Sequence, residues 1–166
     1  MKIKILKSLL AVMLLAGCSA KKRELIEVKN IPIELDNINQ DQLLILINNA
    51  RSESRKCGVD LKEAVEPLVW NETLERLAYN HSKDMTQNNF FSHTGSDGKL
   101  PSQRLDAIGY TWTRSAENLA TGYSNEKKVV AGWLKSPQHC LNIMDVSFSQ
   151  IGIAKDGKYW TSVFTN

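Results

Sequence analysis

Two apolar runs flank Asp156-Gly157 near the C-terminus, and that arrangement restricts the fold more than any other feature of the chain. Asp-Gly favours the positive φ values of a tight hairpin turn, so residues 148–155 and 159–164 are expected to pair as antiparallel strands. Residues 110–117 are a further strand candidate. Helical patterns fill much of the rest. Leu43, Leu44, Ile47 and Ala50 share one face of a helix expected over 41–56, with Gly58 as its stop. Residues 67–70 read as a short extended lead-in, and Asn71 as the cap of a helix reaching Asn88 whose stripe is Leu74, Leu77, Ala78, His81 and Met85. Ser96-Asp97-Gly98 is a turn, and 101–108 a short helix that Gly109 can close in the left-handed conformation. Asn125 opens a helix burying Val129, Val130, Trp133 and Leu134, and Ser136-Pro137 starts another. Helices bracketing a few largely antiparallel strands make an α+β layered fold with one core.

The chemistry sits in three separated segments, Phe90-Phe91-Ser92-His93-Thr94-Gly95, Ala116-Glu117-Asn118-Leu119-Ala120 and Ser136-Pro137-Gln138-His139-Cys140. Brought together, His93, Glu117 and His139 can hold a divalent metal or move protons. Each has a plainer reading. His93 can cap its loop through backbone groups, Glu117 can pair with Arg104 or Arg114, and His139 can be a packing residue of a helix start. In that first turn the helix dipole disfavours an imidazolium and favours a neutral ring able to ligate. His81 lies on an apolar stripe and reads as a hydrogen-bonded core residue, and Trp70, Trp133 and Trp160 read as core.

These segments, in order with Asn48-Asn49-Ala50-Arg51, Leu68-Val69-Trp70-Asn71, His81-Ser82-Lys83-Asp84-Met85, Gly109-Tyr110, Trp133-Leu134-Lys135-Ser136-Pro137 and Ile151-Gly152-Ile153, resemble the bacterial branch of the CAP superfamily, the SCP-like domains. The resemblance runs from about Asn39 to Phe164 and implies a CAP domain over 39–166. It also implies a three-layer α-β-α sandwich with a small, mainly antiparallel sheet, and a cavity lined by His93, Glu117 and His139. A divalent metal, zinc in the first place, is the cofactor such a cavity implies. Many eukaryotic relatives add a second glutamate from a tryptophan-led helix; the matching position here holds Ser136, beside Lys135. That departure weakens a two-carboxylate acid/base mechanism and leaves three functions in view: a metal-dependent binding module, a zinc hydrolase with Glu117 as base, and a structural or lipid-binding envelope protein.

The N-terminus resembles a bacterial lipoprotein signal. Lys2, Lys4 and Lys7 precede a short apolar stretch over 9–15, and Leu15-Ala16-Gly17-Cys18 has the form of a cleavage site. Residues 1–17 are then the signal peptide, Cys18 the lipidated residue, and 18–38 a tether; the plainer reading is an ordinary secretory signal in which Cys18 is incidental. The resemblance places the protein in the cell envelope, on the outer membrane facing the periplasm where the organism has one. Its expected partners are the membrane, through the lipid, and an unidentified envelope ligand or protein. With Cys18 lipidated, Cys57 and Cys140 remain in an oxidising compartment, and a disulfide between them is the economical reading. The rival is a Cys/His metal site at Cys140, although adjacent residues rarely point at one ion. Charge offers no further partner. The chain has 21 Lys and Arg against 18 Asp and Glu, and losing the three signal lysines (21 − 3 = 18) balances the rest. No stripe suited to nucleic acid remains.

Overall fold

The computed structural model describes residues 38–166, so the expected signal segment, Cys18 and all but the last residue of the expected tether lie outside the described residues. The elements run α1 (Gln40–Arg51), β1 (Arg55–Cys57), β2 (Asp60–Lys62), β3 (Val69–Trp70), α2 (Glu72–Asn88) and α3 (Pro101–Ala107). They continue β4 (Ser115–Thr121), α4 (Glu126–Lys135), α5 (Pro137–Ile143), β5 (Gln150–Asp156) and β6 (Tyr159–Thr165). β1 and β2 form a separate hairpin; the main sheet has the order β3-β5-β6-β4, antiparallel except for the short β3–β5 pair.

The hairpin forms where Asp156-Gly157 requires it. Asp156 faces Tyr159, Gly157 takes φ 56°, and the register carries on to Gln150 opposite Thr165. Alternation along β5 and β6 then sorts the core into two halves. Ile151, Ile153, Trp160 and Phe164 pack with Leu43 and Ile47 of α1, Val129, Val130 and Trp133 of α4, and Ile143 of α5. Ala154 and Val163 point the other way, onto Leu74, Leu77 and Ala78 of α2 and Leu105 of α3. The result is the α-β-α sandwich that the family resemblance implies.

Caps explain most boundaries. The Asn39 side chain accepts from the Gln42 N–H at 2.9 Å, and Asn71 from Thr73 and Leu74 at 2.9 and 3.1 Å. α2 ends at Asn89 in the left-handed region, φ 50°. Ser136 stands at the cap position of α5, with Pro137 following, but makes no side-chain capping bond.

Two expectations are corrected. α1 stops at Arg51 instead of continuing to Lys56, because residues 55–57 leave as β1 and Gly58 turns that hairpin at φ 67°. The detour carries Cys57 to Cys140, with Cα atoms 5.4 Å apart, and the disulfide forms as expected. A loop of 83 residues closed in this way is worth about 4–5 kcal/mol in the chain-entropy account. The bond also removes the Cys140 thiolate from any metal set. The second correction is at β4, which begins at Ser115 and runs past Glu117 to Thr121. Residues 110–114 are drawn off the ladder by other bonds. Trp112 Nε1 donates to Asp106 at 3.0 Å, and the Thr113 and Arg114 N–H groups both donate to Asn166 Oδ1 at 3.0 Å.

Candidate functional site

β4 is an edge of the main sheet, so groups from both outer layers meet along it. Its alternation sends Glu117 to the α2 face and Asn118 to the α5 face. Glu117 is buried, its side chain only 2% exposed, yet both oxygens have charged or ionisable partners. Oε2 accepts from Arg104 Nη2 at 2.6 Å, and Oε1 lies 2.8 Å from His93 Nδ1. A buried carboxylate held by two such bonds is compensated for leaving water.

Arg104 does more than neutralise Glu117. Its Nη1 donates to the main-chain carbonyls of His93 and Lys99, at 2.9 and 3.0 Å. One guanidinium thereby fastens the loop between α2 and α3 to β4. Asp84 fastens the same loop from α2 by accepting from the Ser96 N–H at 2.9 Å. His93 is thus held at its backbone and at Nδ1, while its side chain stays 53% exposed. With Nδ1–H donating to Glu117, the lone pair is on Nε2, directed away from that bond.

His139 comes from the opposite layer. It lies in the first turn of α5 and is partly buried. Its carbonyl accepts from Asn118 Nδ2 at 3.1 Å, and Asn118 Oδ1 accepts from Asn142 Nδ2 at 2.7 Å, tying α5 to β4. Burial lowers the His139 pKa from the ordinary 6.5, and the charge of a protonated His93 lowers it further. The two rings are therefore near enough to influence each other, and His139 is neutral at pH 7.

His81 is the buried core histidine its stripe implied, and it also lines the site. Its Nε2–H donates to the Ser92 carbonyl at 2.9 Å, and that nitrogen lies 3.9 Å from Glu117 Oε1. Its Nδ1 is buried without a partner, and Phe90 meets the ring edge-on at 6.2 Å between centroids. Burial lowers its pKa too, against the opposing pull of Glu117. The role of Arg104 was visible in the sequence only as one of two candidate ion pairs; Arg114 instead reaches Asp145, at 3.3 Å. Trp133 and Trp160 are core residues, each 1% exposed, whereas Trp70 is only partly buried against that core. Among the described residues, no group of three or more His, Cys, Asp or Glu side chains is arranged to hold a metal ion.

The histidines give the stability a pH dependence. Both His81 and His139 have folded pKa values below 6.5, so the unfolded chain binds more protons near that value. Stability is full above about pH 6.5 and is lost progressively as pH falls through it toward the folded values. Urea midpoints measured on either side check the sign, and a midpoint that rises on mild acidification contradicts it.

The chain belongs to the CAP family: the model of the cysteine-rich secretory protein family matches residues 44–164. It is 28% identical over 145 residues to the uncharacterized membrane protein YlbC of Bacillus subtilis (strain 168), covering 85% of this chain and 39% of YlbC. It is 31% identical over 105 residues to the uncharacterized protein YkwD of the same organism, covering 62% of this chain and 41% of YkwD. The chain therefore spans well under half the length of these two relatives. Among solved structures, an extracellular protein containing a SCP domain from Bacillus anthracis str. Ames is similar at a TM-score of 0.59 and 29% identity, covering 61% of this chain and 34% of that one.

Proposed function

We propose that this protein is an envelope-anchored CAP-domain binding module whose His93–His139 cleft takes a divalent metal, zinc in the first place, and offers the remaining coordination positions to a ligand or partner. The observation that carries this reading is the 2.8 Å bond from His93 Nδ1 to Glu117. It sets the ring tautomer and leaves Nε2 as a donor atom on a half-exposed ring, the carboxylate–histidine arrangement that supports metal ligation. His139, neutral at pH 7 through burial, is the second imidazole. The donor set suits zinc, which takes imidazole nitrogen readily and keeps an open position when protein ligands are few. A bound ion would supply Lewis acidity to a group entering the cleft. Glu117 orients His93, Arg104 holds Glu117, and Asn118 holds the α5 start.

The geometry favours binding over hydrolysis. A hydrolase would need Glu117 as a free base, and both its oxygens accept short bonds from Arg104 and His93. Zinc titration followed by imidazole 15N resonances tests the reading. Signals of His93 and His139 are expected to move saturably, and that of His81, committed to Ser92, is expected to stay. Movement of neither His93 nor His139 sinks the metal cleft.

The envelope location rests on the Leu15-Ala16-Gly17-Cys18 pattern and on the Cys57–Cys140 disulfide, which suits an oxidising compartment. No helix among the described residues is long and apolar enough to cross a membrane. Cys18→Ser is expected to abolish lipid incorporation and shift the protein from the detergent to the aqueous phase on partitioning. Unchanged partitioning of the variant contradicts lipid anchoring at Cys18.

A further inference from the structure

The outer edge of β4 is a row of main-chain groups on the strand that carries Glu117 and Asn118. In an antiparallel pair, successive residues direct N–H and C=O toward opposite edges. The Gly122 N–H bonds the Lys158 carbonyl at 3.0 Å, so the even-numbered residues of β4 face β6 and the odd-numbered ones face outward. Leu119 confirms this parity, because its carbonyl accepts from Trp133 Nε1 of α4 at 3.2 Å. The N–H and C=O of Ser115 and Glu117, and the N–H of Leu119, have no partner among the described residues.

Exposure agrees. Glu117 as a whole residue is 7% exposed and its side chain 2%, so what reaches the surface is mostly main chain. Beyond Leu119 the edge is closed by Trp133. What remains is a short stretch, Glu117 and Leu119 only 7% and 4% exposed as whole residues, whose outward amides repeat at about 6.8 Å, two residues of strand rise. An extended polypeptide offers donors and acceptors alternating at that repeat. A lipid chain or a sugar ring does not.

We propose that the β4 edge from Ser115 to Leu119 captures an extended polypeptide segment by strand addition, laying its main chain beside His93 and His139. This deepens the proposed function, since it rests on the cleft being a binding site and names the class of ligand. Pairing through main-chain groups implies low sequence selectivity from the edge itself, with side-chain preference left to the cleft around the two rings.

The test uses the detergent-solubilised full chain, 15N-labelled, in EDTA so that metal binding plays no part. The probe is a random octapeptide pool at millimolar concentration, compared with the same pool fully N-methylated. Shifts and slowed exchange at the Ser115, Glu117 and Leu119 amides with the first pool, absent with the second, are the expected result. Ser115→Pro removes one outward N–H at the strand's first position, where proline leaves the β6 ladder intact. It is expected to weaken binding roughly tenfold, the equivalent of one hydrogen bond. Shifts confined to His93 and His139 would overturn strand addition and leave the cleft reading standing. No shift anywhere would overturn it too, with the zinc titration deciding the cleft separately. Loss of the edge amides on raising protein concentration alone would assign the edge to a second copy of this chain and overturn capture of a ligand.

Discussion

Arg51→Met is expected to lower the stability of the folded protein by about 3–5 kcal/mol, measured as a drop in the urea midpoint at constant slope. Arg51 is fully buried at the end of α1 and serves as a distributor of hydrogen bonds. Its Nε donates to the Glu66 carbonyl at 2.7 Å, Nη1 to the carbonyls of Ile143 and Asp145 at 2.6 and 3.0 Å, and Nη2 to that of Phe148 at 3.3 Å. Burial lowers its pKa, opposed by Asp145, but a guanidinium has margin enough to stay charged at neutral pH. Methionine fills similar volume and leaves all four carbonyls without Arg51, those of Ile143 and Phe148 in the buried interior and those of Glu66 and Asp145 part-buried. Lysine is not a rescue, since a single ammonium cannot reach so many acceptors spread around a planar fork. A loss under about 1 kcal/mol would mean that water or a local shift replaces these bonds, and would contradict the role assigned to Arg51.

Gly152→Ala is expected to cost about 3 kcal/mol, for the opposite reason: there is no room. A Cβ at Gly152 would lie 2.0 Å from the Glu75 nitrogen and 2.3 Å from the Leu74 carbonyl carbon. Those atoms are the backbone of the first turn of α2, which cannot rotate aside as a side chain would. The helix must lift from β5, loosening the packing of Leu74 and Ala154 and displacing the element that carries His81 and Asp84. Gly98→Ala is the informative control. A Cβ there meets nothing within 4 Å, and only the backbone preference at φ 79° opposes it, a cost of about 1 kcal/mol. Equal effects at the two glycines would contradict the close approach of α2 to the sheet.

The parts of the fold legible in the sequence were those governed by local rules. Asn71 and Asn125 capped their helices where a side-chain acceptor preceded an apolar stripe, and Asp156-Gly157 turned the hairpin. The β1–β2 hairpin was not legible, because Arg55-Lys56-Cys57 carries no strand pattern and is drawn out of the helix by a distant cysteine. The misplaced start of β4 has a similar cause: Asn166, at the other end of the chain, takes the amides of Thr113 and Arg114. The site divides the same way. His93 and Glu117 were singled out by residue type and meet directly, and His139 lies near enough to His93 for their charges to interact. The sequence left Glu117 open between Arg104, Arg114 and a histidine, and the structure gives it Arg104 and His93 together. His81 showed only its stripe, and its place beside Glu117 depends on how α2 lies across the sheet.

The thermal midpoint of the protein, taken in EDTA and across graded zinc, decides whether His93 and His139 hold a metal, with His93→Ala/His139→Ala as the control. A saturable rise is expected for the wild type, about 2.7 kcal/mol of stabilisation when free zinc is a hundredfold above the dissociation constant, and none for the double variant. A wild-type midpoint indifferent to zinc, or an equal rise in the variant, would contradict a metal cleft formed by His93 and His139.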